Sequence, residues 1–361
     1  MNHADDLLPH ALQPYWDLAL ASVQAEALQL ALQEGLFERL ASPCTAETLA
    51  RVQGWQPETT RHWLALLWSM RLLDRNCDAA GAWHYASTEL ARQYLVTSSA
   101  LYCGEAWRFR LASLRDFGAG LAQGLHKQCF HEQDVHKQDV HKQGRSTPLA
   151  SGERWALAAR GHLAREQVAV TAPAACELVS RRLAHKAHKA PWRLLDLGGG
   201  PGLVAVTLAK VFPQMSGVVF ELPEAAEVAA QNIVEAGLAS RLEAQGGDLV
   251  TDTLGTGFDL IWCSSVLHFV PDLSACLAKL HAALRPGGEL LCVHAEIPDE
   301  PEAARRMLSY YLPLLWQGRR VTQAGELREA LLAQGFEVCE ELPITLPMAP
   351  GTALVARRRG N

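Results

Sequence analysis

The stretch "RLLDLGGGPGLVAVTLAKVFP", Arg193–Pro213, decides the fold class of this chain. It begins with apolar residues typical of a buried strand and ends with apolar and small residues at helical spacing. A run of glycines lies between these two parts, directly after "LLDL" and its Asp196. Glycine lets the backbone turn sharply and lets a ligand approach without an intervening side chain. We therefore predict a strand, a turn that holds a ligand and a helix, rather than a tight corner that holds nothing.

Strand and helix patterns continue to alternate from Trp192 to the end of the sequence. Apolar runs such as "GVVFELP" and "FDLIWCSS" are separated by helical stretches such as "EAAEVAAQNIVEAG". This alternation predicts an α/β domain with a mainly parallel sheet that helices cover on both faces. In such sheets a ligand binds at the carboxyl ends of the strands, which is where the glycine run falls.

The residues at these strand ends favour S-adenosyl-L-methionine over a dinucleotide as the cofactor. A dinucleotide turn has the spacing G-x-G-x-x-G, whereas counting from Gly198 the last of these positions is Leu203. Asp196 would repel a phosphate and suits a sulfonium or ammonium cation. Glu221 ends the next strand, where a carboxylate meets ribose hydroxyls, and Asp248 ends the third strand, where it can accept a hydrogen bond from an adenine amino group.

The predicted cofactor-binding residues all lie in or directly after these strands. They are Asp196, Gly198, Gly199, Gly200, Gly202, Glu221, Leu222, Gly247, Asp248, Leu249, Cys263 and Ser264.

The first third of the chain has a helix, helix, helix, short hairpin order, which is typical of a winged helix. A DNA-binding version would expose Arg, Lys, Asn or Gln on its third helix. Here that helix reads "TTRHWLALLWSMRLL" and is strongly apolar. We therefore predict that this part packs against protein as a dimerisation module, that the chain forms a homodimer, and that it does not bind nucleic acid.

The composition of the chain limits the classes of protein to which it can belong. The chain has 361 residues, a net charge of −6 and 49% hydrophobic residues, which predicts about two globular domains and argues against a basic nucleic-acid surface. No apolar run reaches the eighteen or so residues of a membrane span, and the start of the sequence does not resemble a signal peptide. Nine cysteines are scattered without a CxxC pair, which predicts reduced thiols in the cytoplasm.

Four histidines recur at intervals of five residues in "HKQCFHEQDVHKQDVHKQ", beginning at His126. A period of five fits neither a helix nor a strand, so these imidazoles would not share one face. The tract is either a metal-binding segment or a repeat expansion in an exposed loop. We favour the loop, because loops tolerate insertions, and we predict no metal site.

The motifs together resemble the small-molecule O-methyltransferases of the caffeate and acetylserotonin type. The resemblance covers nearly the whole chain, and only the histidine-repeat loop lies outside it. It rests on the motifs "LALQEGLFERL", "TAETLA", "LLDLGGGPG", "FELPE", "GGDL", "VLHFVPD" and "ALRPGG". It implies an N-terminal all-α winged-helix dimerisation domain and a Rossmann-like class I methyltransferase domain. The implied divisions are residues 1–125 for dimerisation, 126–150 for the loop, 151–190 for linker helices and 191–361 for the methyltransferase.

The resemblance also implies the catalytic residues. His268 matches the general base of the family, and Glu296 matches the first acidic partner that holds the imidazole ring. The second acidic position falls at Arg320, and Phe269 stands where the family usually has Asp, so the support of the base stays open. His294, on the fifth strand, is a nearby competitor for the role of base.

The expected acceptor is a small, partly apolar molecule with a hydroxyl group. The resemblance implies that its pocket is walled by the linker helices and the region after the fifth strand. The candidate substrate residues are Trp107, Trp155, Met307, Tyr311, Trp316 and Arg320. Methyl transfer to sulfur, nitrogen or carbon on the same fold is an alternative, and so is a non-catalytic regulator that keeps the cofactor pocket.

Overall fold

The computed structural model describes residues 10–126, 151–183, 190–344, 346–347 and 351–360 of the chain. All but the first residue of the histidine-repeat loop, 127–150, and most of the second histidine-containing stretch, 184–189, lie outside the described residues. The chain divides into two compact units, Met1–Leu111 and Ala112–Asn361. The first unit therefore ends before residue 125, the end of the N-terminal division expected from the sequence.

The first unit combines helices with a small antiparallel sheet. Its helices are α1 (Gln13–Gln33), α2 (Leu36–Arg39), α3 (Ala46–Gln53), α4 (Pro57–Ser69), α5 (Glu89–Leu95) and the start of α6 (Gly104–Ala119). Its strands are β1 (Cys44–Thr45), β2 (Leu73–Cys77) and β3 (Trp83–Ser87), in the order β1-β3-β2. The predicted hairpin is the β2–β3 pair, which registers Leu73 opposite Ser87.

Local sequence explains the helices of this unit. Thr45 caps α3 because its hydroxyl accepts a hydrogen bond from the Thr48 N–H at 3.2 Å, and Gly54 ends the helix in the left-handed conformation. The apolar face of α4 buries Leu64 and Leu67 in a core shared with α1, α2 and β3. The apolar face that the sequence predicted for α4 is therefore buried within this unit.

The second unit contains a seven-stranded sheet with helices on both sides. Its helices are α7 (Leu121–His126), α8 (Ser151–Arg160), α9 (His162–Glu166), a π-helix (Gln167–Thr171), α10 (Ala172–Leu183), α11 (Leu203–Val211), α12 (Pro223–Glu235), a 3₁₀ helix (Leu267–Phe269), α13 (Leu273–Ala283), α14 (Pro301–Trp316) and α15 (Glu326–Ala333). Its strands are β4 (Trp192–Leu197), β5 (Met215–Glu221), β6 (Leu242–Gly246), β7 (Phe258–Ser264), β8 (Leu284–His294), β9 (Phe336–Ile344) and β10 (Gly351–Arg358).

The sheet has the strand order β6-β5-β4-β7-β8-β10-β9. The five strands from β6 to β8 are parallel, and β10 and β9 add antiparallel pairs at one edge. The order reverses between β5 and β7, on either side of β4, so the glycine turn after β4 lies at the switch point where such sheets bind ligands.

Alternate residues of the central strands fill two separate cores. Leu194 and Trp262 face α10, α11 and α12, whereas Leu195 and Ile261 face α13 and α15. Both faces of the strands are buried because the parallel connections place helices on each side. The predicted sheet covered on both faces is confirmed.

None of the helices in the part of the chain that the structure describes is long and apolar enough to cross a membrane. None of the eight cysteines among these residues forms a disulfide bond with another of them.

A buried carboxylate ties the sheet to α10. Glu289 on β8 accepts hydrogen bonds from Arg182 of α10 at 2.8 and 3.0 Å, and from Arg357 of β10 at 2.7 Å. Burial alone would raise the pKa of Glu289, but the two guanidinium groups overcome this effect and hold the pKa below its ordinary value.

We expect Glu289→Gln to lower the free energy of unfolding by about 2 kcal/mol, because hydrogen bonds to charged groups are lost in a buried site. The folded state lowers the pKa of Glu289, so this stabilisation is complete above the ordinary pKa of 4.5 and is lost as pH falls through the lowered value. Urea unfolding at several pH values measures the difference. Glu341→Gln, which breaks an exposed pair with Arg328, is the control. Equal losses for the two variants would contradict the assignment.

Candidate cofactor site and active site

The glycine turn after β4 has a backbone that favours glycine. The φ angles of Gly198, Gly200 and Gly202 are 60°, 54° and 73°, in the left-handed region. The Gly198 N–H donates to the Phe220 carbonyl at 2.8 Å, which ties the start of the turn to β5. The turn is therefore set by backbone conformation and by a main-chain bond to the neighbouring strand.

The turn is closed on one side and open on another. A Cβ on Gly198 would lie 2.5 Å from Cγ2 of Val266, and one on Gly199 would lie 2.7 Å from Cγ1 of Val219. A Cβ on Gly200 would meet only Nε2 of Gln167 within 4 Å, at 3.6 Å. The main chain around Gly200 is thus approachable by a ligand, as a cofactor cradle requires.

Two side-chain amides hold the turn in place, and the sequence analysis did not identify either of them. Gln167, at the start of the π-helix, donates from Nε2 to the Gly199 carbonyl at 2.9 Å and accepts from the Leu203 N–H at 3.0 Å. Asn232 of α12 donates to the Pro201 carbonyl at 2.8 Å. Both residues are distant in sequence from the turn, so no local motif identifies them.

The two carboxylates at the first strand ends lie on either side of this turn. Oδ2 of Asp196 accepts from the Ala205 N–H at 3.3 Å, and burial raises its pKa to about 7. Burial also raises the pKa of Glu221, whose carboxylate accepts from the N–H groups of Gly200 at 3.0 Å and Leu222 at 2.7 Å. The structure therefore brings both predicted carboxylates to the glycine turn.

The end of β6 lies next to the end of β5. The Gly247 N–H donates to the Glu221 carbonyl at 2.9 Å, and a Cβ on Gly247 would lie 2.7 Å from the Phe220 ring. Asp248 is exposed, and its Oδ1 accepts from the Val250 N–H at 2.8 Å. Leu222 and Leu249 are half-buried beside these groups.

One predicted cofactor residue, at the end of β7, has its side chain turned into the core. The side chain of Cys263 is fully buried in the core on the α13 side and interacts with Cys292 of β8. It therefore faces away from a ligand at the strand ends. The next residue, Ser264, is half-buried, and Ser265 has a φ of 58° where the chain leaves the strand.

His268 lies in the 3₁₀ helix that follows β7 and is 1% exposed. Its Nδ1 is 3.1 Å from the Arg320 carbonyl, which can only accept, so Nδ1 carries the proton and Nε2 is unprotonated in the neutral ring. Nε2 is buried and has no hydrogen-bond partner. Burial lowers the pKa of His268 to about 4, and the Arg320 carbonyl opposes this effect in part.

The expected acidic support of His268 is corrected. Glu296 accepts hydrogen bonds from the N–H groups of Leu327 at 2.8 Å and Gly325 at 3.2 Å, so it caps the start of α15 and does not hold the imidazole. The guanidinium of Arg320 forms an ion pair with Glu326, and only its carbonyl contacts His268. A backbone oxygen therefore takes the place predicted for a carboxylate.

His294, at the end of β8, stacks on His268 with 4.0 Å between ring centroids and 30° between planes. The described residues contain three buried side-chain atoms without a partner: Nε2 of His268, Nδ1 of His294 and Oγ1 of Thr322. An unpaired buried polar atom costs free energy, so such atoms mark places where a ligand or water binds. The sequence named His294 as a competitor but gave no sign of the stacking.

The candidate substrate residues divide into three groups. The Tyr311 ring lies 4.8 Å from that of His268, and Met307 is buried in the same cluster. The Trp155 ring packs edge-on against Phe269, with 5.1 Å between centroids. Trp316 packs against Phe117 at 5.3 Å, and Trp107 is half-buried in the first unit. The structure thus brings Tyr311 next to the base candidate and Trp155 next to its neighbour Phe269.

Comparison with known proteins gives two matching families. The O-methyltransferase domain matches residues 160–337, and the O-methyltransferase dimerisation domain matches residues 16–97. Together these matches cover more than half of the chain and follow the order expected from the sequence.

Individual relatives agree with these families. The chain is 31% identical to demethylspheroidene O-methyltransferase of Cereibacter sphaeroides, over 46% of this chain and 44% of that protein. It is 27% identical to acetylserotonin O-methyltransferase of Rattus norvegicus, over 94% of this chain and 76% of that protein. The chain therefore spans less than half of the first relative and about three quarters of the second.

A solved structure shows the same fold. Human N-acetylserotonin methyltransferase, in complex with S-adenosylmethionine, superposes with a TM-score of 0.71 at 21% identity, over the whole of both chains. The predicted fold class is confirmed, a Rossmann-like class I methyltransferase domain with an N-terminal helical dimerisation domain that also carries three short strands. The predicted cofactor is that of the family, so the chain belongs to the S-adenosylmethionine-dependent O-methyltransferases with an N-terminal dimerisation domain.

Proposed function

We propose that this chain transfers a methyl group from S-adenosyl-L-methionine to a hydroxyl oxygen of a small, partly apolar acceptor, with His268 as the proton acceptor. The observation that carries the proposal is the state of the His268 ring. Its Nδ1 is held by the Arg320 carbonyl, and its Nε2 is unprotonated, buried and without a partner. A general base needs such a free lone pair beside the reacting hydroxyl.

The cofactor site that we propose lies at the strand ends around the glycine turn. Gly198, Gly199, Gly200 and Gly202 would give main-chain access, Asp196 and Glu221 would supply negative charge and hydrogen-bond acceptors, and Asp248 would face the adenine. Leu222, Gly247, Leu249 and Ser264 complete the set. When bound, the cofactor supplies an electrophilic methyl group on a sulfonium. Burial raises the pKa of both carboxyl groups, and a sulfonium cation beside them would favour their charged forms, whereas an anionic phosphate would not, which supports a cationic ligand.

The residues around His268 support an apolar acceptor. Tyr311 and Met307 offer an aromatic and an aliphatic surface next to the imidazole, and Trp155 with Phe269 offers a second aromatic surface. Such surfaces bury a ring and exclude water, which favours the approach of an acceptor hydroxyl to Nε2. Trp107, Trp316 and the Arg320 side chain remain candidate substrate residues.

Methyl transfer to sulfur, nitrogen or carbon is the alternative within the same fold. A thiolate needs little help from a base, because proximity alone can bring it to react. The unprotonated Nε2 favours oxygen, since it provides the proton acceptor that a hydroxyl requires.

We further propose that residues 16–97 form the core of a winged-helix-like dimerisation domain and that the chain is a homodimer. The matching dimerisation family supports this proposal. So does α1, where Tyr15, Trp16, Leu20 and Val23 are all more than half exposed. The free cysteines support the reducing cytoplasm expected from the sequence.

We expect Gly200→Leu to weaken S-adenosylmethionine binding by about 100-fold or more, because the side chain would fill the open side of the turn. Isothermal titration calorimetry measures the affinity, and circular dichroism checks the fold. Gly237→Leu is the matched control, because Gly237 also has a positive φ and has nothing within 4 Å of an added Cβ. Unchanged affinity in the folded Gly200 variant would contradict the assignment of the turn.

We expect His268→Ala to lower turnover by about 10²–10⁴-fold on a neutral hydroxyl acceptor, the usual contribution of a positioned base. Cofactor affinity should barely change, and the loss should shrink for acceptors that are already anionic. Product formation followed by mass spectrometry measures turnover, with His62→Ala, an exposed histidine of the first unit, as control. Near-full activity of the His268 variant on a neutral phenol would show that the base assignment is wrong.

We expect Trp16→Glu together with Val23→Glu to convert a homodimer into a monomer, because charges would replace exposed apolar side chains of α1. Light scattering at micromolar concentration measures the mass. Val234→Glu, at an exposed apolar position of α12, should leave the mass unchanged. A wild-type monomer would contradict the proposal directly.

A further inference from the structure

We propose that the side-chain amide of Gln167 binds the carboxylate at the amino-acid end of S-adenosylmethionine. Gln167 would thereby distinguish the complete cofactor from a ligand that lacks this carboxylate. The residue begins the π-helix and is remote in sequence from the glycine turn. The inference rests on the proposed position of the cofactor at that turn, and it goes further because it assigns a binding residue to one chemical group of the ligand.

Two main-chain partners fix the orientation of the Gln167 amide. The Gly199 carbonyl can only accept, so the amide atom 2.9 Å from it is Nε2, which donates. The Leu203 N–H can only donate, so the amide atom 3.0 Å from it is Oε1, which accepts. Exchanging the two amide atoms would turn both hydrogen bonds into repulsive contacts. The direction of the amide beside the turn is therefore determined.

The amide nitrogen of Gln167 carries a second N–H that is available to a ligand. A primary amide has two N–H bonds, which diverge in one plane, and the Gly199 carbonyl uses one of them. Nε2 has no other hydrogen-bond partner in the part of the chain that the structure describes. The same nitrogen lies 3.6 Å from the position that a Cβ on Gly200 would take. The second N–H therefore borders the open side of the turn, where a ligand approaches.

The charges of the turn leave the carboxylate of the ligand in need of a donor. S-adenosylmethionine ends in an α-amino acid, which carries an ammonium and a carboxylate at neutral pH. The side chains of Asp196 and Glu221 can only accept hydrogen bonds when ionised, so they suit the cationic groups of the ligand and repel its carboxylate. Gln167 is uncharged and can donate, so it suits the one group that the two acids repel.

The start of α11 favours an anion at this place, but its own N–H groups are partly engaged. The positive end of the helix dipole lies beside the turn, because the helix begins at Leu203, directly after Gly202. The Leu203 N–H donates to Gln167, and the Ala205 N–H donates to Asp196 at 3.3 Å. The Gln167 amide therefore accepts from the start of the helix and offers a donor to the ligand in return.

The π-helix supplies an independent reason to connect Gln167 with function. The Ala172 N–H donates to the Gln167 carbonyl, five residues back, which is the wide hydrogen-bonded ring of a π-helix. Such turns are rare and occur mostly at functional sites. Here the wide turn begins at the one residue whose side chain spans the glycine turn on both sides.

The first test combines a protein variant with a ligand variant. S-adenosylhomocysteine is compared with 5′-deoxy-5′-(3-aminopropylthio)adenosine, an amine that differs from it only by the missing carboxylate. We expect Gln167→Met to weaken binding of S-adenosylhomocysteine about 10- to 100-fold more than binding of the amine, because only the first ligand loses a hydrogen bond to a charged group. Isothermal titration calorimetry of the full chain measures both affinities. Equal losses for the two ligands would overturn the inference.

Asn232→Ala is the matched control for a loosened turn. Asn232 also holds the turn through a side-chain amide, which donates to the Pro201 carbonyl at 2.8 Å. Its removal should weaken both ligands alike, because the donor beside Gly200 is still present. Urea unfolding of each variant checks the fold. If the control discriminates between the ligands as strongly as Gln167→Met, the discrimination comes from the turn as a whole and the inference is wrong.

Gln167→Glu tests the charge and keeps part of the contact with the turn. One carboxylate oxygen can still accept from the Leu203 N–H, whereas the other replaces a donor with a negatively charged acceptor. We expect the preference for S-adenosylhomocysteine over the amine to fall at least about 100-fold relative to the wild type at pH 8, where the new side chain is ionised. A Glu variant with the wild-type preference would overturn the inference even if the Met variant failed to fold.

Gly200→Leu separates this inference from the proposed site. It should weaken both ligands, because both contain the adenosine and the thioether. Loss of both ligands in Gly200→Leu, together with equal losses in Gln167→Met, would overturn the inference and leave the proposed site intact. Unchanged affinity of Gly200→Leu for both ligands would contradict the proposed site and, with it, the role of Gln167.

Discussion

The close packing of the glycine turn after β4 is the constraint on which the rest of the site depends. Val266 and Val219 leave no room for a Cβ on Gly198 or Gly199, so the main chain lies directly against its neighbours. This packing fixes the end of β4 relative to β5 and to the segment that carries His268. The carboxylates of Asp196 and Glu221 are held in the same turn by backbone N–H groups. The proposed cofactor turn and the proposed base are therefore joined by direct packing.

The environment of His268 gives the site its individual character. A backbone carbonyl orients the ring, a second imidazole stacks on it, and the carboxylate that the family resemblance suggested caps a helix instead. A carboxylate hydrogen-bonded to the imidazole would both orient the ring and stabilise its positive charge. The Arg320 carbonyl orients the ring but, without a full negative charge, stabilises the protonated ring only in part. The imidazole is thus held in the tautomer whose Nε2 can accept a proton. Burial, however, disfavours the protonated ring.

Much of the fold and the position of the glycine turn could be predicted from the sequence, because the residue patterns that indicate them are local. The glycine run, the carboxylates at strand ends and the strand–helix alternation are short-range patterns, and they predicted the sheet, its switch point and the turn that we propose for the cofactor. Gln167 was missed because it reaches the turn from a π-helix that is remote in sequence. The buried orientation of the Cys263 side chain was missed, although alternate residues of a strand face opposite sides and Cys263 lies two residues after Ile261, which packs in the same core. The partner of His268 was missed because it is a backbone oxygen, which no side-chain motif records.

A crystal structure of the chain with S-adenosylhomocysteine and a phenol would test most directly whether the glycine turn and His268 form one active site. We expect S-adenosylhomocysteine at the turn around Gly200 and the phenol oxygen within hydrogen-bond distance of Nε2 of His268, at about 3 Å. We also expect the Arg320 carbonyl still to hold Nδ1 in that complex. A phenol oxygen bound away from His268, or a nucleoside bound away from the glycine turn, would contradict the account.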